Sequence, residues 1–535
     1  MAKNATARYS DILDGELNPK ATSQGKAIPG READMAKNNA GGFSFVMDKW
    51  GQFDRFLILG SEGGHYYASE KNVTLDNAKN VISCIKENGK RAVDRVVEIS
   101  DQGRAFKNDP AIFVMALAAA SEDKAVAEHA FANLGKVCRI GTHLFSFMEA
   151  YNKFGKWRGY AKRGVAKWYA RQEDKLAMQL LKYQQRNGWS HRDVLRLAHV
   201  KPTTDSHNAM FHWVTNDRKH LDNAKLPQLF HVFEALHKDP SVANAVKAVR
   251  DYGLTWEMLP TQVLTDSKVW EALLPNMGVT ALIRNLGRMS ANGVISGLSE
   301  GEKLAVARLS DAEALKNGRV HPITLLSAMK TYQQGRGDKG SMTWRASQRV
   351  IDALNDAFYA SFKNIEPSGE NYLLGIDCSG SMFGARCMGI NNLTSAEAAA
   401  VMALATAKVE TNYWIGGFNT TMSELKISPN MRLDQVLRVM QGFNWGGTDC
   451  AQPMLHAMKH KMNVDKFCVY TDNETWAGRI HPTQALKQYR DQNGKGKLIV
   501  CGTSATNFSI ADPKDAGMLD IVGFDSAAPQ LISQF

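Results

Sequence analysis

The chain has 535 residues, 44% hydrophobic and 22% charged, with a formal net charge of +11; at about 150 residues per domain that allows two to four domains, each able to bury a core. This composition excludes wholesale disorder, a collagen-like repeat and a disulfide scaffold. Seven scattered cysteines with no Cys-x-x-Cys point to reduced thiols in a cytoplasmic protein without a zinc site, the first nine residues lack the apolar stretch of a secretory signal, and apolar runs such as 112–120 fall short of the ~20 residues that cross a bilayer.

Residues 1–42 suggest no element that can be placed. From about Thr74 to Ala360 the apolar spacing is helical, in segments broken by Gly, Pro, Asn or Asp. Predicted helices run over Asn77–Asn88, Pro110–Ala119, Glu122–Cys138, Leu176–Asn187, His191–Ala198, Leu226–Leu236, Val279–Met289, Ser299–Leu309 and Pro322–Gln334, with no clear alternating strand between them. So many helices on short connectors predict a stacked helical array, although no fixed repeat period stands out.

The positive charge is concentrated in this half. Up to Gly369 there are 51 Lys/Arg against 39 Asp/Glu, or +12, and beyond it 14 against 15, or −1; Lys153–Lys201 alone holds 13 against 3, or +10. A field focused in this way attracts polyanions, of which nucleic acid is the commonest in cytosol. A solvated basic face without a partner is the plain alternative, but Trp157, Tyr160, Trp168, Tyr169, Tyr183 and Trp189 are interleaved here, which solubility alone does not need. On a helix over Lys162–Arg171, Arg163, Lys167 and Arg171 share one stripe and Val165, Trp168 and Tyr169 the other side. Such a stripe can follow a phosphate backbone, with salt-dependent affinity and little sequence choice. By charge alone, Lys162, Lys182, Arg186, Arg192 and Arg196 are further candidates. On the helix Val279–Met289, Arg284 and Arg288 stand at i, i+4 with Asn285 between them, suited to phosphates or base edges; the alternative is that the two arginines tie neighbouring repeats through backbone carbonyls.

After Glu366-Pro-Ser-Gly the texture changes. Near-continuous apolar strands at Tyr372–Asp377, Tyr413–Phe418, Phe467–Asp472, Leu498–Gly502 and Asp520–Phe524 alternate with helices near Ser395–Glu410, Leu433–Gln441, Ala451–Lys461 and Thr483–Arg490. That pattern predicts an open α/β domain whose parallel sheet is covered on both faces and binds ligands beyond the carboxyl ends of its strands. There the sequence places Asp377-Cys-Ser379-Gly-Ser381, then Gly-Gly-Thr448-Asp, then Thr-Asp472. Hydroxyls and carboxylates are hard oxygen ligands suited to Mg²⁺ or Mn²⁺. Ser379, Ser381 and Thr448 would hold one cation, with Asp377 and Asp472 acting directly or through water; few formal charges in such a shell leave the ion able to take an acidic ligand from outside. The constellation resembles the metal-ion-dependent adhesion site of von Willebrand factor A domains. A strand-end turn without metal is the alternative. Two-metal hydrolysis needs ions ~4 Å apart and more carboxylate than Asp377 and Asp472 supply, and no P-loop, dinucleotide fingerprint or Gly-x-Ser-x-Gly elbow is present, so no enzyme is expected.

Taken together, the chain resembles the Ro autoantigen (TROVE-domain) proteins. The stretches that carry the resemblance are Lys182-Tyr-Gln-Gln-Arg-Asn-Gly-Trp-Ser-His191-Arg-Asp-Val-Leu-Arg-Leu-Ala-His199, Ala281-Leu-Ile-Arg-Asn-Leu-Gly-Arg-Met289, His321-Pro-Ile, Thr331-Tyr-Gln-Gln-Gly, Gly-Gly-Thr448-Asp-Cys, Thr-Asp472-Asn-Glu-Thr, Lys-Leu-Ile-Val-Cys-Gly (497–502) and Ile-Ala-Asp512-Pro-Lys-Asp-Ala-Gly-Met-Leu-Asp. The resemblance implies a ring of HEAT-like helical repeats over 43–365, closed by a Rossmann-like von Willebrand factor A domain over 370–535. It further implies small noncoding Y RNAs on the outer surface, single-stranded 3′ ends of misfolded RNAs in a central hole, and in bacteria a role in RNA quality control, processing or decay with polynucleotide phosphorylase. By the same resemblance His191 is the Y RNA histidine. Expected alongside are a monomer without membrane association and, as the alternative function, a protein-interaction module whose cation captures an acidic partner residue.

Overall fold

The computed structural model describes residues 21–61, 70–216, 224–337, 340–362, 366–443 and 446–535. The first twenty residues of the 1–42 segment therefore lie outside the described residues. Two compact units emerge: one contains residues up to Asn77 together with Phe362–Phe535, the other Ala78–Ser361.

The second unit is helical, and the sequence accounts for many of its boundaries. Asp123 caps the helix Lys124–Val137, and Ser190 with Asp193 forms a capping box on His191–Ala198, satisfying amides that the first turn leaves unpaired. The helix Glu70–Gln102 is non-helical at Asn88, whose side chain accepts from the Arg91 amide at 3.0 Å and restarts the helix there. Two helices end earlier than their apolar spacing suggests. Gly159–Tyr169 stops at Ala170, so Arg171 lies beyond it. Glu173–Lys182 stops at Tyr183, and the helix predicted to continue to Asn187 is replaced by a hairpin of Gln185–Arg186 and Trp189–Ser190. Asn187 (φ 53°) and Gly188 (φ 77°) form its turn; positive φ at both central residues is what Asn-Gly favours in a two-residue hairpin, and this local signal overrides the helical period.

Number the strands in chain order: β1 Met35–Lys37, β2 Phe43–Val46, β3 Gln185–Arg186, β4 Trp189–Ser190, β5 Asn371–Asp377, β6 Asn412–Phe418, β7 Met422–Glu424, β8 Lys466–Thr471, β9 Lys497–Gly502, β10 Phe508–Ser509 and β11 Met518–Val522. The A-domain sheet runs β11-β9-β8-β5-β6-β7, parallel except for the edge strand β7. All of β8 and most of β5 are buried, as a sheet covered on both faces requires. The Ala-rich helix Ser395–Val409 is buried along almost its whole length and contacts β5, β6 and β8.

Residues 43–77, grouped by the sequence with the helical array, are part of the unit that holds the A domain. β2 pairs with both β1 and β10. The buried guanidinium of Arg55 meets the Asp520 carboxylate at 2.6 Å and the Phe508 carbonyl at 2.8 Å. These are contacts across more than four hundred residues of chain, which no local periodicity announces.

Candidate nucleic-acid interface and metal centre

Within the helical unit lies a cavity of about 1510 Å³. Five sequence-selected residues line it: Lys182, Arg186, Arg284, Asn285 and Arg288. On the helix Val279–Ala291, Leu282, Ile283, Leu286 and Met289 are buried while Arg284 and Arg288 are exposed, so the amphipathic pattern itself turns the two cations outward. Arg288 lies 6.0 Å from the Trp270 ring centre. Asn285 is buried, and one N–H of its amide donates to the Ala281 carbonyl at 2.9 Å. Lys182 is 3.5 Å from Glu257 and 5.4 Å from the Tyr183 ring centre.

Four further cations line the cavity and escaped the sequence reading: Lys107, Arg139, Arg308 and Arg319. The role of binding backbone carbonyls, weighed above for Arg284 and Arg288, falls to three of these, Arg139 donating to the Lys136 carbonyl at 2.9 Å. Arg308 donates to the Pro275 and Met277 carbonyls at 3.2 and 2.7 Å, and Arg319 to the Asp101 carbonyl at 2.7 Å. Their isolated places in the sequence gave no sign of this convergence. Tyr183, Trp256, Trp344 and Phe106 also line the cavity.

The other basic candidates do not line it. Arg163 and Lys167 are exposed on the helix Gly159–Tyr169 and Lys162 is half-buried; Arg163 has one distant acid, Glu128 at 4.0 Å. Arg171 departs from the expected stripe. It donates to the Trp168 and Arg139 carbonyls, both at 3.0 Å, and stacks 4.0 Å from the Trp168 ring centre, because the chain leaves the helix before it. Trp168 and Tyr169 are buried. Arg196 is exposed and donates to the Thr215 carbonyl at 2.8 Å, and Arg192 is half-buried. His191 is buried, hydrogen-bonded to Tyr169 at 2.9 Å and to the Gln179 carbonyl at 3.2 Å. Burial pushes its pKa down to about 4, so it stands as a neutral ring beneath the surface.

In the A domain, β5 ends at Asp377 and β8 at Thr471, with Asp472 next. β6 extends the sheet on one side of β5, while β8 and β9 extend it on the other. The two carboxyl ends therefore flank the point where strand order reverses, the place where open α/β sheets bind ligands. All five sequence-selected residues, Asp377, Ser379, Ser381, Thr448 and Asp472, are buried there. Asp377 accepts from the Ser379 amide at 2.9 Å and from the Thr471 hydroxyl at 2.7 Å, and the Ser379 and Ser381 hydroxyls lie 3.0 Å apart. The Gly380 amide donates to the Gly446 carbonyl at 3.2 Å, joining the Ser379–Ser381 turn to the loop that carries Thr448. The Thr448 hydroxyl is buried without a hydrogen-bond partner.

Burial raises the pKa of both Asp377 and Asp472, and for Asp377 the neighbouring Asp472 charge adds to it. Glu474 is pushed up to about 7 by burial and by Asp472. Buried carboxylates that disfavour their own ionised forms, beside an unsatisfied hydroxyl, are a donor set that a divalent cation would complete. Among the described residues no group of three or more His, Cys, Asp or Glu side chains forms a metal cage, so a cation here would rest largely on hydroxyl oxygens, in keeping with a hard ion.

Two family models match the chain. Residues 36–331 match the TROVE domain and residues 371–535 the Ro60 vWA domain. The chain is 38% identical over 525 residues to the RNA-binding protein RO60 of Deinococcus radiodurans, covering 97% of this chain and 98% of that protein. It is 34% identical over 607 residues to the RNA-binding protein RO60 of Caenorhabditis elegans, covering 98% and 93%. The crystal structure of the Deinococcus radiodurans RO (RSR) protein superposes with a TM-score of 0.70 at 37% identity, over 91% of this chain and 99% of that one. With a helical TROVE region followed by a vWA domain on a mixed sheet, and with relatives this similar along nearly their whole length, the chain belongs to the Ro60 family.

Proposed function

We propose that this protein is an RNA-binding scaffold of a ribonucleoprotein and does not itself cleave RNA. The observation that carries the reading is the cavity of about 1510 Å³ in which Lys182, Arg186, Arg284 and Arg288 come together with aromatic rings. It exceeds the ~300–1,000 Å³ of small-molecule sites and carries the cation-plus-aromatic lining that holds single strands by phosphate contacts and base stacking. The relatives' description as RNA-binding proteins supports it. The cavity would take single-stranded 3′ ends of misfolded RNA, and the separate exposed face of Arg163 and Lys167 would hold a structured Y RNA. Recognition then depends on shape and free ends, a division suited to RNA quality control alongside an exoribonuclease such as polynucleotide phosphorylase.

The test uses a labelled RNA with a folded body and a single-stranded 3′ tail, titrated at several salt concentrations. Arg284→Glu with Arg288→Glu should remove the advantage of the tail, and Arg163→Glu with Lys167→Glu should weaken binding of the body. Unchanged affinity in both double variants at moderate salt would sink the proposal. Incubation with Mg²⁺ should leave the RNA intact.

A second reading is favoured by the partnerless Thr448 hydroxyl beside two buried carboxylates. Ser379, Ser381 and Thr448, with Asp377 and Asp472, would hold Mg²⁺ or Mn²⁺, and the ion would accept an acidic residue of a partner protein. Calorimetric titration with Mn²⁺ checks it: no binding by the intact chain, or binding that survives Asp377→Ala, would end this reading. It is compatible with RNA binding by the helical unit.

A further inference from the structure

Gln24 stands far from every motif above, yet its side chain is fully buried in the A-domain unit. Its amide nitrogen donates to the Asp449 carboxylate at 2.7 Å and to the Ile480 carbonyl at 2.8 Å. Its amide oxygen accepts from the Thr475 hydroxyl at 2.5 Å and from the Gly478 amide at 3.0 Å. One side chain thus uses both donors and both lone pairs. Every partner lies on one of two loops: the turn that carries Thr448, and the stretch following Asp472.

The two loops also hold each other. The Trp476 and Ala477 amides both donate to the Thr448 carbonyl at 3.0 Å, and the Cys450 amide donates to the Thr475 hydroxyl at 3.1 Å. Gln24 is the wedge that closes this arrangement from outside. Its backbone adds two bonds: its amide donates to the Gly478 carbonyl at 3.0 Å and its carbonyl accepts from the Phe43 amide at 2.8 Å. The same N-terminal segment grips the second loop again, since Asn39 and the Ala40 amide donate to the Glu474 carboxylate at 2.6 and 3.0 Å.

We infer that Gln24 is a positioning residue for the A-domain cation site, supplied from a segment of the chain more than four hundred residues away from Thr448. This rests on the cation reading above. A hydroxyl ligand binds a small, hard ion only if its oxygen is held within a few tenths of an ångström. Thr448 has no hydrogen bond of its own to fix its hydroxyl, so its place is set by the backbone around it, which Gln24 clamps through the adjacent Asp449. Outer partners of this kind commonly alter metal affinity 10- to 100-fold without touching the ion.

The experiment measures Mn²⁺ affinity of the full-length protein by electron paramagnetic resonance, together with thermal stability. Gln24→Ala should weaken Mn²⁺ binding about tenfold or more, and Gln24→Glu, which keeps the size but sets a second carboxylate against Asp449, should weaken it as well. Arg31→Ala is the comparison. It removes the pairing of this same segment with Asp512, away from the two loops, and should lower stability while leaving Mn²⁺ affinity within twofold of the parent. If Gln24→Ala and Gln24→Glu bind Mn²⁺ like the parent, the inference fails while the cation site stands. Loss of affinity in Arg31→Ala equal to that in Gln24→Ala also overturns it, since general loosening would then suffice. A parent protein that binds no Mn²⁺ overturns the cation reading and this inference with it.

Discussion

The hydroxyl of Tyr169 donates to Nδ1 of His191 across 2.9 Å, while Nε2 of the same ring donates to the Gln179 carbonyl at 3.2 Å. A carbonyl only accepts, so Nε2 carries the proton and Nδ1 is the acceptor. Phe145 approaches the ring edge-on with centroids 4.7 Å apart. Both nitrogens of the histidine singled out by the family resemblance are thus engaged inside the helical unit, and its charge state follows from that burial.

Burial holds the His191 pKa at about 4, against about 6.5 in an unfolded chain. Between these values only the unfolded chain takes up the proton, so stability rises with pH across this window. The contribution of the neutral ring is complete above about pH 6.5 and lost as pH falls towards 4, reaching ~3 kcal/mol at most. Urea unfolding should therefore show the stability advantage of the parent over His191→Gln shrinking between pH 7 and pH 4.5. A pH-independent difference would show that folding leaves the pKa of the ring unchanged, as for an exposed histidine.

Arg171 and Lys167 should respond in opposite ways to substitution. Arg171→Ala removes two hydrogen bonds to carbonyls and a stack on Trp168, a loss of about 1–3 kcal/mol, with little change in the salt dependence of RNA binding. Lys167→Glu is exposed and should leave the unfolding midpoint nearly unchanged while lowering RNA affinity at low salt. Parallel denaturation and salt titration of the two variants distinguishes the roles.

In the cavity, Arg308 and Arg319 serve backbone carbonyls, and Arg284 and Arg288 are exposed on their helix. Arg308→Ala should accordingly destabilise by ~1–2 kcal/mol through two carbonyls left without a donor. Arg284→Ala should lower affinity for a single-stranded oligonucleotide and flatten its log-log salt slope by about one, the effect of one lost phosphate contact. Equal slopes for parent and Arg284→Ala would place that cation outside the path of the strand.

Mg²⁺ should stabilise the protein, and more so as pH rises. Asp377 has a folded pKa raised by burial and by Asp472, so without a cation its contribution is complete below pH ~4 and lost as pH rises through the folded value. A cation removes that penalty. At one hundred times its Kd a ligand that binds only the folded state adds about 2.7 kcal/mol, and the thermal shift with Mg²⁺ should be larger at pH 8 than at pH 6. Asp377→Asn, which removes one carboxylate from the site, should reduce the shift at both pH values.

Much of this architecture was legible in order along the chain. Five nearly continuous apolar strands correspond within a residue or two to β5, β6, β8, β9 and β11, since a strand buried on both faces must be apolar at every position. Asp377, Ser379, Ser381, Thr448 and Asp472 were recognisable because ligand loops follow strand ends, and strand ends are where apolar runs stop. Helices such as His191–Ala198 carry their start signals locally, in a capping box of three residues' span.

Other features escaped the reading by hydrophobic period. The Asn187-Gly188 turn puts Arg186 on a hairpin strand where a helix was predicted, and the early exit from the helix at Ala170 takes Arg171 off the stripe its spacing assigned. The short strands β1, β2 and β10, the carbonyl-bound Arg308 and Arg319, and the four bonds of Gln24 connect residues up to hundreds of positions apart. The sequence by itself determined most of the long helices and the buried strands of the A-domain sheet, how many positive charges the helical half carries, and which hydroxyl and carboxylate residues follow the strands, because hydrophobic period and capping are local energies. Only the tertiary structure decided which cations face a common cavity, which are used up on carbonyls, and that an amide near the start of the chain braces a loop more than four hundred residues away, because those outcomes depend on which distant surfaces exclude water from each other.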